Sequence, residues 1–513
     1  MPGMFTEADW AQLTELGISP DEADRQLALF RSPPPPIRLD RPCIPGDGVL
    51  QLGETARQVA ATAHAAAAAA GRIVKFTPAS GAASRMFQSL LAVRAESGGT
   101  RGALQARAAA GDAAAAEALQ FFAELPRFAF AEALAAHLRR SGRSLEALRA
   151  SGDVGGVVAA LLDPDGLDYA AQPKGLLLFH RYPDGPRTAF EEHLAEAADI
   201  ARASDEVARL HLTVSPEHAA GFTALLERVR GAYEHRLAVR YAVGFSTQKR
   251  ATDTLAADAA HAPFRDGAGR LVLRPGGHGA LIENLNDLGA DLIFVKNIDN
   301  VQPEHRRPEA LRWMRLLLGH LATVQAQLCA HLEALEGGAA GACDAAREFA
   351  CAALGLHAAP RDAAALRQAL DRPLRVCGVV RNTGEPGGGP FWVRAADGTC
   401  TAQIVESAQV DQADAGQRAA FAAATHFNPV FLACAVRDRL GRPYDLRRFV
   451  DPAAVFISRK SKEGRALQAL ERPGLWNGAM ARWLTLFVEV PDATFSPVKT
   501  VNDLLRPAHQ PAD

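Results

Sequence analysis

The segment Asp291-Leu-Ile-Phe-Val-Lys-Asn-Ile-Asp-Asn300 decides the fold, because it joins a strongly apolar run to a polar loop that carries a carboxylate. It closes a region, residues 174–300, in which strand and helix patterns alternate. Strands are predicted at 175–179, 211–214 and 291–295, with helical patterns between them. Such alternation is typical of βαβ units and a mainly parallel sheet. We therefore predict an α/β protein with a mainly parallel or mixed sheet between layers of helices.

Other parts of the chain add to this core. The apolar run 72–76 predicts an early strand, and strand patterns return at 374–382, 390–394, 401–406, 430–436 and 484–490. Alanine-rich helical patterns separate them. The predicted organisation has four parts: an N-terminal helical segment with a proline-rich linker (1–70), the first part of the core (71–302, with a helical insertion at about 96–165), a second helical insertion (303–372) and the completion of the core (373–513).

Composition excludes several classes of protein. The 513 residues carry 56 Lys and Arg against 58 Asp and Glu, a formal net charge of −2, and 48% are hydrophobic. These values argue against disorder and against general binding to nucleic acid or acidic membranes, although local basic pockets remain possible. The seven cysteines form no C-x-x-C pair, which argues against a disulfide framework or structural zinc. The acidic N-terminus without an apolar segment predicts a cytoplasmic protein.

The loop after the first strand, Thr77-Pro-Ala-Ser-Gly-Ala-Ala-Ser-Arg-Met-Phe87, is the first candidate for chemistry. Small side chains at a strand-to-helix junction let an anion approach backbone N–H groups, and Arg85 can bind phosphate oxygens. The loop matches neither the P-loop nor the dinucleotide pattern. A plain tight turn is the alternative.

Three charged residues also lie at predicted strand ends or in constrained loops. Lys174 stands between Pro173 and Gly175, Asp299 follows the strand at 291–295, and Lys499 lies in the loop Phe495-Ser-Pro-Val-Lys499. A carboxylate at the carboxyl end of a strand lies where open α/β sheets bind ligands, and it suits Mg²⁺. The alternatives are a solvated lysine and a helix N-cap.

The turn Arg274-Pro-Gly-Gly-His-Gly-Ala280 has three glycines in four positions. Glycine permits positive φ and the close approach of a flat ring or a phosphate, and a structural turn is the alternative. Two further polar loops, Asn382-Thr-Gly-Glu-Pro-Gly-Gly-Gly389 and His426-Phe-Asn-Pro429, are more typical of structural turns when each is taken alone.

Taken in order, these loops resemble the nucleotide-diphospho-sugar transferase superfamily, and within it the UDP-sugar pyrophosphorylases. The relatives carry G-x-G-T-R, P-K-G, T-S-E-H, P-D-G-N-G-G, V-D-N, V-V-E-Y-S-E and F-x-P-V-K-T-x-x-D-L-L. The corresponding segments here are Ser80–Arg85, Pro173–Gly175, Val214–His218, Arg274–Gly279, Ile298–Asn300, Ile404–Gln409 and Phe495–Leu505. Along nearly its whole length the chain also resembles an uncharacterised bacterial family of unknown function.

The resemblance implies a Mg²⁺-dependent nucleotidyltransferase that joins a nucleoside triphosphate, UTP by analogy, to a sugar 1-phosphate and releases pyrophosphate. It implies the following roles: Arg85, Lys174 and Lys499 as catalytic cations, Ser80, Gly81, Ala82, Ser84, Gly276, Gly277, His278 and Gly279 as nucleotide-binding residues, Asn382, Glu406 and Asn428 as substrate-binding residues, and Asp299 as the metal ligand. Such transfers depend on positioning and charge neutralisation rather than on a covalent intermediate.

Two loops depart from the relatives. In the first loop, Ala82 and Ala83 stand where the relatives carry glycine, and in the glycine turn, His278 replaces an asparagine. Two other functions therefore stay open: a glycosyltransferase that uses a nucleotide-sugar, and a nucleotide-binding protein without turnover. We also expect Asp299, as a strand-end carboxylate without a buried partner, to be removable with little loss of folding stability.

Overall fold

A computed structural model describes residues 4–81, 83–95, 99–384 and 387–512. The chain divides into two units, each built from separate stretches of sequence. The first unit comprises Met1–Phe76, Ser246–Val295 and Met314–Asp492, and the second comprises Thr77–Phe245, Lys296–Trp313 and Ala493–Asp513. Residue Ala82, one of the predicted nucleotide-binding residues, lies outside the described residues.

The helices in the described part of the chain are α1 (Glu7–Leu16), α2 (Pro20–Arg31), α3 (Glu54–Ala69), α4 (Gln88–Ala95), α5 (Arg101–Ala109), α6 (Ala113–Ala123), α7 (Ala131–Arg140), α8 (Leu145–Ser151), α9 (Val154–Leu162), α10 (Ala189–Ile200), α11 (Ala219–Leu237), α12 (Leu281–Asp287), α13 (Pro308–Glu336), α14 (Ala342–Leu354), α15 (Ala363–Leu370) and α16 (Ala415–Ala422).

The strands in the same residues are β1 (Leu39–Pro42), β2 (Ile44–Pro45), β3 (Gly48–Leu50), β4 (Ile73–Pro78), β5 (Leu178–His180), β6 (Arg187–Thr188), β7 (Val207–Thr213), β8 (Arg240–Ser246), β9 (Thr254–Ala257), β10 (Leu273–Arg274), β11 (Leu292–Lys296), β12 (Leu374–Arg381), β13 (Gly389–Arg394), β14 (Cys400–Val405), β15 (His426–Phe427), β16 (Phe431–Ala435), β17 (Phe456–Lys462), β18 (Arg465–Glu471) and β19 (Leu484–Glu489).

The first unit is organised around a mixed sheet with the order β2-β3-β19-β12-β16-β11-β4. Strands β12 and β19 pair in parallel, as do β11 and β4, whereas β16 runs antiparallel to β12. The central strands are buried on both faces, which matches their nearly continuous apolar sequences. Two smaller sheets, β10-β9-β18-β17 and β1-β13-β14, complete this unit.

The second unit contains α4–α11 together with β5–β8. Its buried core is rich in Phe and Leu and extends from the first loop to the last residues of the chain. Helix α10 begins with a capping box, in which Thr188 and Glu191 satisfy each other's backbone N–H groups. Nearly all of α10 is buried, acidic residues included, so it is an internal helix and not an amphipathic surface helix.

The structure confirms the predicted α/β class with a mixed sheet, and most predicted strands agree with it to within a few residues. The strand predicted at 175–179 is wrong in its position. Lys174–Leu176 form a 3-10 turn, and β5 begins only at Leu178. Strand β10 is short, because only Leu273 and Arg274 pair with β9. No helix of the described residues is long and apolar enough to cross a membrane.

Candidate functional site

In the second unit, two lysines from distant parts of the sequence converge on one carboxylate. Lys174 Nζ lies 2.8 Å from Asp299 Oδ2, and Lys499 Nζ lies 3.2 Å from the same oxygen. Lys174 also donates a 2.6 Å hydrogen bond to the Val498 carbonyl. Asp299 and Lys174 are largely buried, whereas the Lys499 side chain is 52% exposed. The structure therefore brings together three residues that the sequence placed in separate loops.

The loop that carries Asp299 is fixed by backbone and side-chain hydrogen bonds to the C-terminal segment. Val498 N donates to the Asp299 carbonyl at 3.1 Å, and Ser496 N donates to Asn300 Oδ1 at 2.9 Å. Gln302 Nε2 donates to Ser496 Oγ at 2.8 Å. These bonds hold the Asp299 loop and the Lys499 loop together, so the cluster is preorganised.

The charges of the cluster act on each other strongly because water is largely excluded. Burial alone would raise the pKa of Asp299, but the charges of Lys174 and Lys499 outweigh it and hold that pKa below its ordinary value. For Lys174, burial lowers the pKa, the Asp299 carboxylate opposes the shift, and Lys499 and Arg85 add to it. At neutral pH, we infer a charged pair, because 2.8 Å is the distance of a charge-assisted hydrogen bond.

Arg85 belongs to the same surroundings, since its charge acts on the pKa of Lys174. It ends the 3-10 turn Ala83–Arg85 and is exposed. Ser84 is also exposed, Ser80 is half-buried, and a Cβ added to Gly81 would meet no atom within 4 Å. Lys174 and Lys499 share the carboxylate of Asp299, and the charge of Arg85 acts on Lys174, so three cations act at this site.

Behind the cluster lies a buried polar network that the sequence analysis missed. Glu192 Oε1 accepts hydrogen bonds from His180 Nδ1 at 2.9 Å and from the Tyr182 hydroxyl at 2.8 Å, and Glu192 Oε2 pairs with Arg307. His180 Nε2 then accepts a 2.9 Å hydrogen bond from His509 Nδ1. This network ties β5, α10 and the last residues of the chain to the segment that follows Asp299.

A second buried group lies one turn further along α10. Glu196 Oε1 accepts a 2.6 Å hydrogen bond from Lys296 Nζ, and neither side chain is more than 1% exposed. His193 bonds the Ile298 carbonyl through Nε2 at 3.2 Å. The contacts place α10 directly behind the Asp299 loop. One signal in the sequence was available: Glu191-Glu192-His193 and Glu196 occur in a helix whose remaining residues are mostly apolar.

The glycine turn 276–279 belongs to the first unit, and packing explains two of its glycines. A Cβ on Gly276 would lie 2.6 Å from the Thr252 carbonyl oxygen, and one on Gly279 would lie 2.6 Å from the Pro473 carbonyl oxygen. Gly277 has φ +60° and open space around it. The backbone geometry thus supports the structural interpretation of this turn, and it leaves Gly277 as the accessible position.

His278 lies against the segment 473–476 rather than alone on the surface. Its ring stacks on Trp476 with the ring centroids 4.5 Å apart, and its Nδ1 accepts a 3.3 Å hydrogen bond from Leu475 N. Burial lowers the pKa of His278, while the charges of Glu406 and Glu471 oppose that shift. The ring also packs against Gly474, where an added Cβ would lie 2.3 Å from its Cε1, so these neighbours fix its position.

The three predicted substrate-binding residues differ in their surroundings. Asn428 is buried and each end of its amide has a partner, because it donates to the Gly378 carbonyl at 2.7 Å and accepts from Val430 N at 3.0 Å. Asn382 is exposed and caps its own turn by accepting from Gly384 N. Glu406 is half-buried, and its backbone N–H bonds the Gln409 side chain. The contacts of Asn428 are those of a structural residue.

Asp299 is the predicted Mg²⁺ ligand, and its surroundings correct one expectation. It does have a largely buried partner, Lys174, so the expectation that it lacks one is wrong. In the described part of the chain, no group of three or more His, Cys, Asp or Glu side chains could hold a metal ion. Mg²⁺ is often held by one carboxylate together with substrate phosphates. The donor set therefore fits a Mg²⁺ that arrives on phosphate, and a free ion beside two ammonium groups fits poorly.

Comparisons with known proteins give two findings about fold and family. The chain is similar to uridine diphosphate N-acetylglucosamine pyrophosphorylase from Trypanosoma brucei, with 12% identity, a TM-score of 0.46, and coverage of 98% of this chain and 79% of that one. It is also similar to a mutant UDP-glucose pyrophosphorylase from Leishmania major solved with UDP-glucose, with 14% identity, a TM-score of 0.44, and coverage of 97% and 78%. No curated protein matches the sequence. A family model described as "Domain of unknown function (DUF4301)" matches residues 6–510, so the chain belongs to that family.

Proposed function

We propose that this protein is a nucleotidyltransferase that joins a nucleoside triphosphate to a sugar 1-phosphate or a similar phosphate, with release of pyrophosphate. The observation that carries the proposal is the convergence of Lys174 and Lys499 on Asp299, with the charge of Arg85 acting on the same site. A cluster of cations in which Lys499 and Arg85 are exposed can bind phosphate groups. The ordered series of motifs supports the same class of reaction.

In this reaction, an oxygen of the sugar phosphate attacks the α-phosphorus of the triphosphate. The bond from that phosphorus to the bridging oxygen breaks, and pyrophosphate leaves with the electron pair. Lys499 is exposed enough to contact a phosphate, and Lys174 lies beside it on Asp299, where its charge adds to the neutralisation of the phosphates. Asp299 would hold Mg²⁺, which supplies charge neutralisation at the phosphates when bound. UTP is proposed by analogy alone.

Product analysis tests the proposal and separates it from its alternatives. The protein is incubated with each of five nucleoside triphosphates and a panel of sugar 1-phosphates, with Mg²⁺, and pyrophosphate is measured. Pyrophosphate release that requires both substrates supports the nucleotidyltransferase. A nucleoside diphosphate released from a nucleotide-sugar would support the glycosyltransferase instead. Nucleotide binding without any product would support the binding protein.

A matched pair of variants assigns the activity to the cluster. Lys174→Gln and Lys499→Gln remove one charge each at the phosphate-facing side, and we expect each to lower kcat/KM by about 100-fold or more. Arg442→Gln is the control, because Arg442 pairs with Asp438 in the first unit, outside the proposed site. Equal activity of all four proteins would refute the assignment.

A further inference from the structure

A groove of about 880 Å³ lies in the first unit at the amino-terminal ends of two neighbouring strands. Arg372 comes two residues before β12, and Arg482 comes two residues before β19. These strands pair in parallel with Leu374 opposite Leu484. The backbone register alone therefore places the two arginines side by side, and both of them line the groove.

The carboxylates of the groove do not neutralise these arginines. Asp438 pairs with Arg442 at 2.8 Å, and Asp445 pairs with Arg447 at 2.6 Å. Asp371, a third carboxylate, accepts a 2.6 Å hydrogen bond from the Tyr444 hydroxyl. The acidic side chains of the groove are thus already engaged with other groups.

Three lining arginines have weak counter-charges, although the charge of Arg448 does help to lower the pKa of Asp445. Among the described residues, no carboxylate lies within ion-pair distance of Arg372 or Arg448, and Arg482 reaches only Asp451, at 3.9 Å. Burial lowers the pKa of Arg372, and the charge of Arg482 lowers it further. A half-buried guanidinium beside a second one is an unfavourable arrangement in the free protein, and a bound anion would relieve it.

We propose that this groove binds a small polyanion of the phosphate class. Guanidinium groups match phosphate oxygens with paired hydrogen bonds, and three of them suit a ligand with several negative charges. The volume is within the range of small-molecule sites. Tyr444 and Phe449, whose ring centroids lie 5.6 Å apart, add an apolar wall that an inorganic ion alone would not use.

The groove is separate from the substrate loops predicted in the same unit. Asn382 follows the carboxyl end of β12, whereas Arg372 precedes its amino end. The eight residues of β12 span about 26 Å at roughly 3.3 Å per residue. The inference therefore adds a second ligand site, and it does not rest on the proposed nucleotidyltransferase activity.

The test measures binding of inorganic pyrophosphate by calorimetry on the full chain without Mg²⁺. We expect Arg372→Gln/Arg482→Gln to weaken binding by more than about tenfold, since hydrogen bonds to charged groups are lost. Arg448→Gln, at an exposed position, should weaken it in the same direction. The control Arg25→Gln, whose guanidinium pairs with Glu22 at 2.8 Å in the first unit and does not line the groove, should change affinity by less than about threefold.

A lysine variant separates this site from the proposed catalytic one. Lys174→Gln/Lys499→Gln should retain the pyrophosphate binding that the arginine variant loses. The proposal is overturned if the wild-type protein does not bind, if the arginine variant binds as the wild type does, or if Arg25→Gln loses as much affinity. It is also overturned if binding disappears in the lysine variant and persists in the arginine variant.

The melting temperature, measured with and without pyrophosphate, provides a second readout. Because Arg372 and Arg482 repel each other in the free protein, Arg482→Gln should raise the melting temperature without pyrophosphate and reduce the increase that pyrophosphate produces. A lower melting temperature for ligand-free Arg482→Gln, or an unchanged response to pyrophosphate, would contradict the proposed charge conflict.

Discussion

Asp299 holds two lysine ammonium groups on one oxygen, and this contact has an energetic consequence. Asp299→Ala would leave Lys174 buried beside Val498 without its counter-charge. We expect the free energy of unfolding to fall by about 3 kcal/mol, as for other broken buried pairs. Lys499→Ala, at the half-exposed end of the cluster, should cost less than about 1 kcal/mol. Urea denaturation measures both, and equal losses would contradict the assigned burial.

The buried side chain of His509 makes the stability of the folded protein depend on pH. Burial lowers its pKa from 6.5 to about 3, and the charges of His180 and Arg506 contribute. Between these values the unfolded chain binds a proton that the folded protein does not, so stability falls as pH decreases from 6.5 towards 3. The loss approaches 1.4 kcal/mol per pH unit for one such group.

The variant His509→Gln isolates this contribution, because it removes the titrating group and keeps polar atoms at the position. Its unfolding free energy should change less steeply with pH between about 6 and 4 than that of the wild type. The measurement is urea denaturation at each pH. Parallel curves for the two proteins would show that His509 does not titrate as described.

The sequence identified the individual residues of the cluster, but it did not predict that they contact each other in the fold. Lys174 and Lys499 lie in loops that contain proline, and Asp299 follows an apolar strand. The resemblance to a family linked the three loops to one site. They are 125 and 200 residues apart, and the buried pairing of Asp299 depends on that long-range closure. Glu192 was not predicted as a site residue, because its partners Arg307 and His180 come from other segments.

The glycine turn before α12 packs closely against the backbone of neighbouring segments. Gly279→Ala would place a Cβ at 2.6 Å from the Pro473 carbonyl oxygen. We expect a loss of about 2 kcal/mol in the free energy of unfolding. Gly277→Asn is the control, because asparagine tolerates φ +60° and the position is open. A stable Gly279→Ala protein with impaired nucleotide binding would instead favour a direct ligand contact.

Element positions were predictable where the local sequence decides them. Thr6 and Ser19 are the N-caps of α1 and α2, and their side chains accept hydrogen bonds from the first turn. The apolar run 175–179 was placed wrongly, because Pro173 and Gly175 favour a turn that an apolar pattern does not reveal. Gly175 itself packs against Phe222, a contact that only the tertiary structure shows.

At the scale of the whole molecule, family membership covers residues 6–510 and assigns no chemistry, so function depends on the sites. The core of the first unit is a mixed sheet of apolar strands, whereas the second unit also contains a buried network of hydrogen-bonded polar side chains. The second unit holds the cationic cluster on loops that internal hydrogen bonds fix in place. We expect this cluster to bind the phosphates of a nucleotide.

The shift in melting temperature that nucleotides produce is the direct test of this binding. ATP, GTP, CTP, UTP and dTTP are each added with and without Mg²⁺, and Mg²⁺ is added alone, to the wild type and to Lys174→Gln/Lys499→Gln. Ligand at about 100 times its dissociation constant adds roughly 2.7 kcal/mol. We predict a shift in the wild type that is selective for one base, larger with Mg²⁺, absent with Mg²⁺ alone and lost in the lysine variant. An equal shift in both proteins, or none with any nucleotide, would contradict the claim.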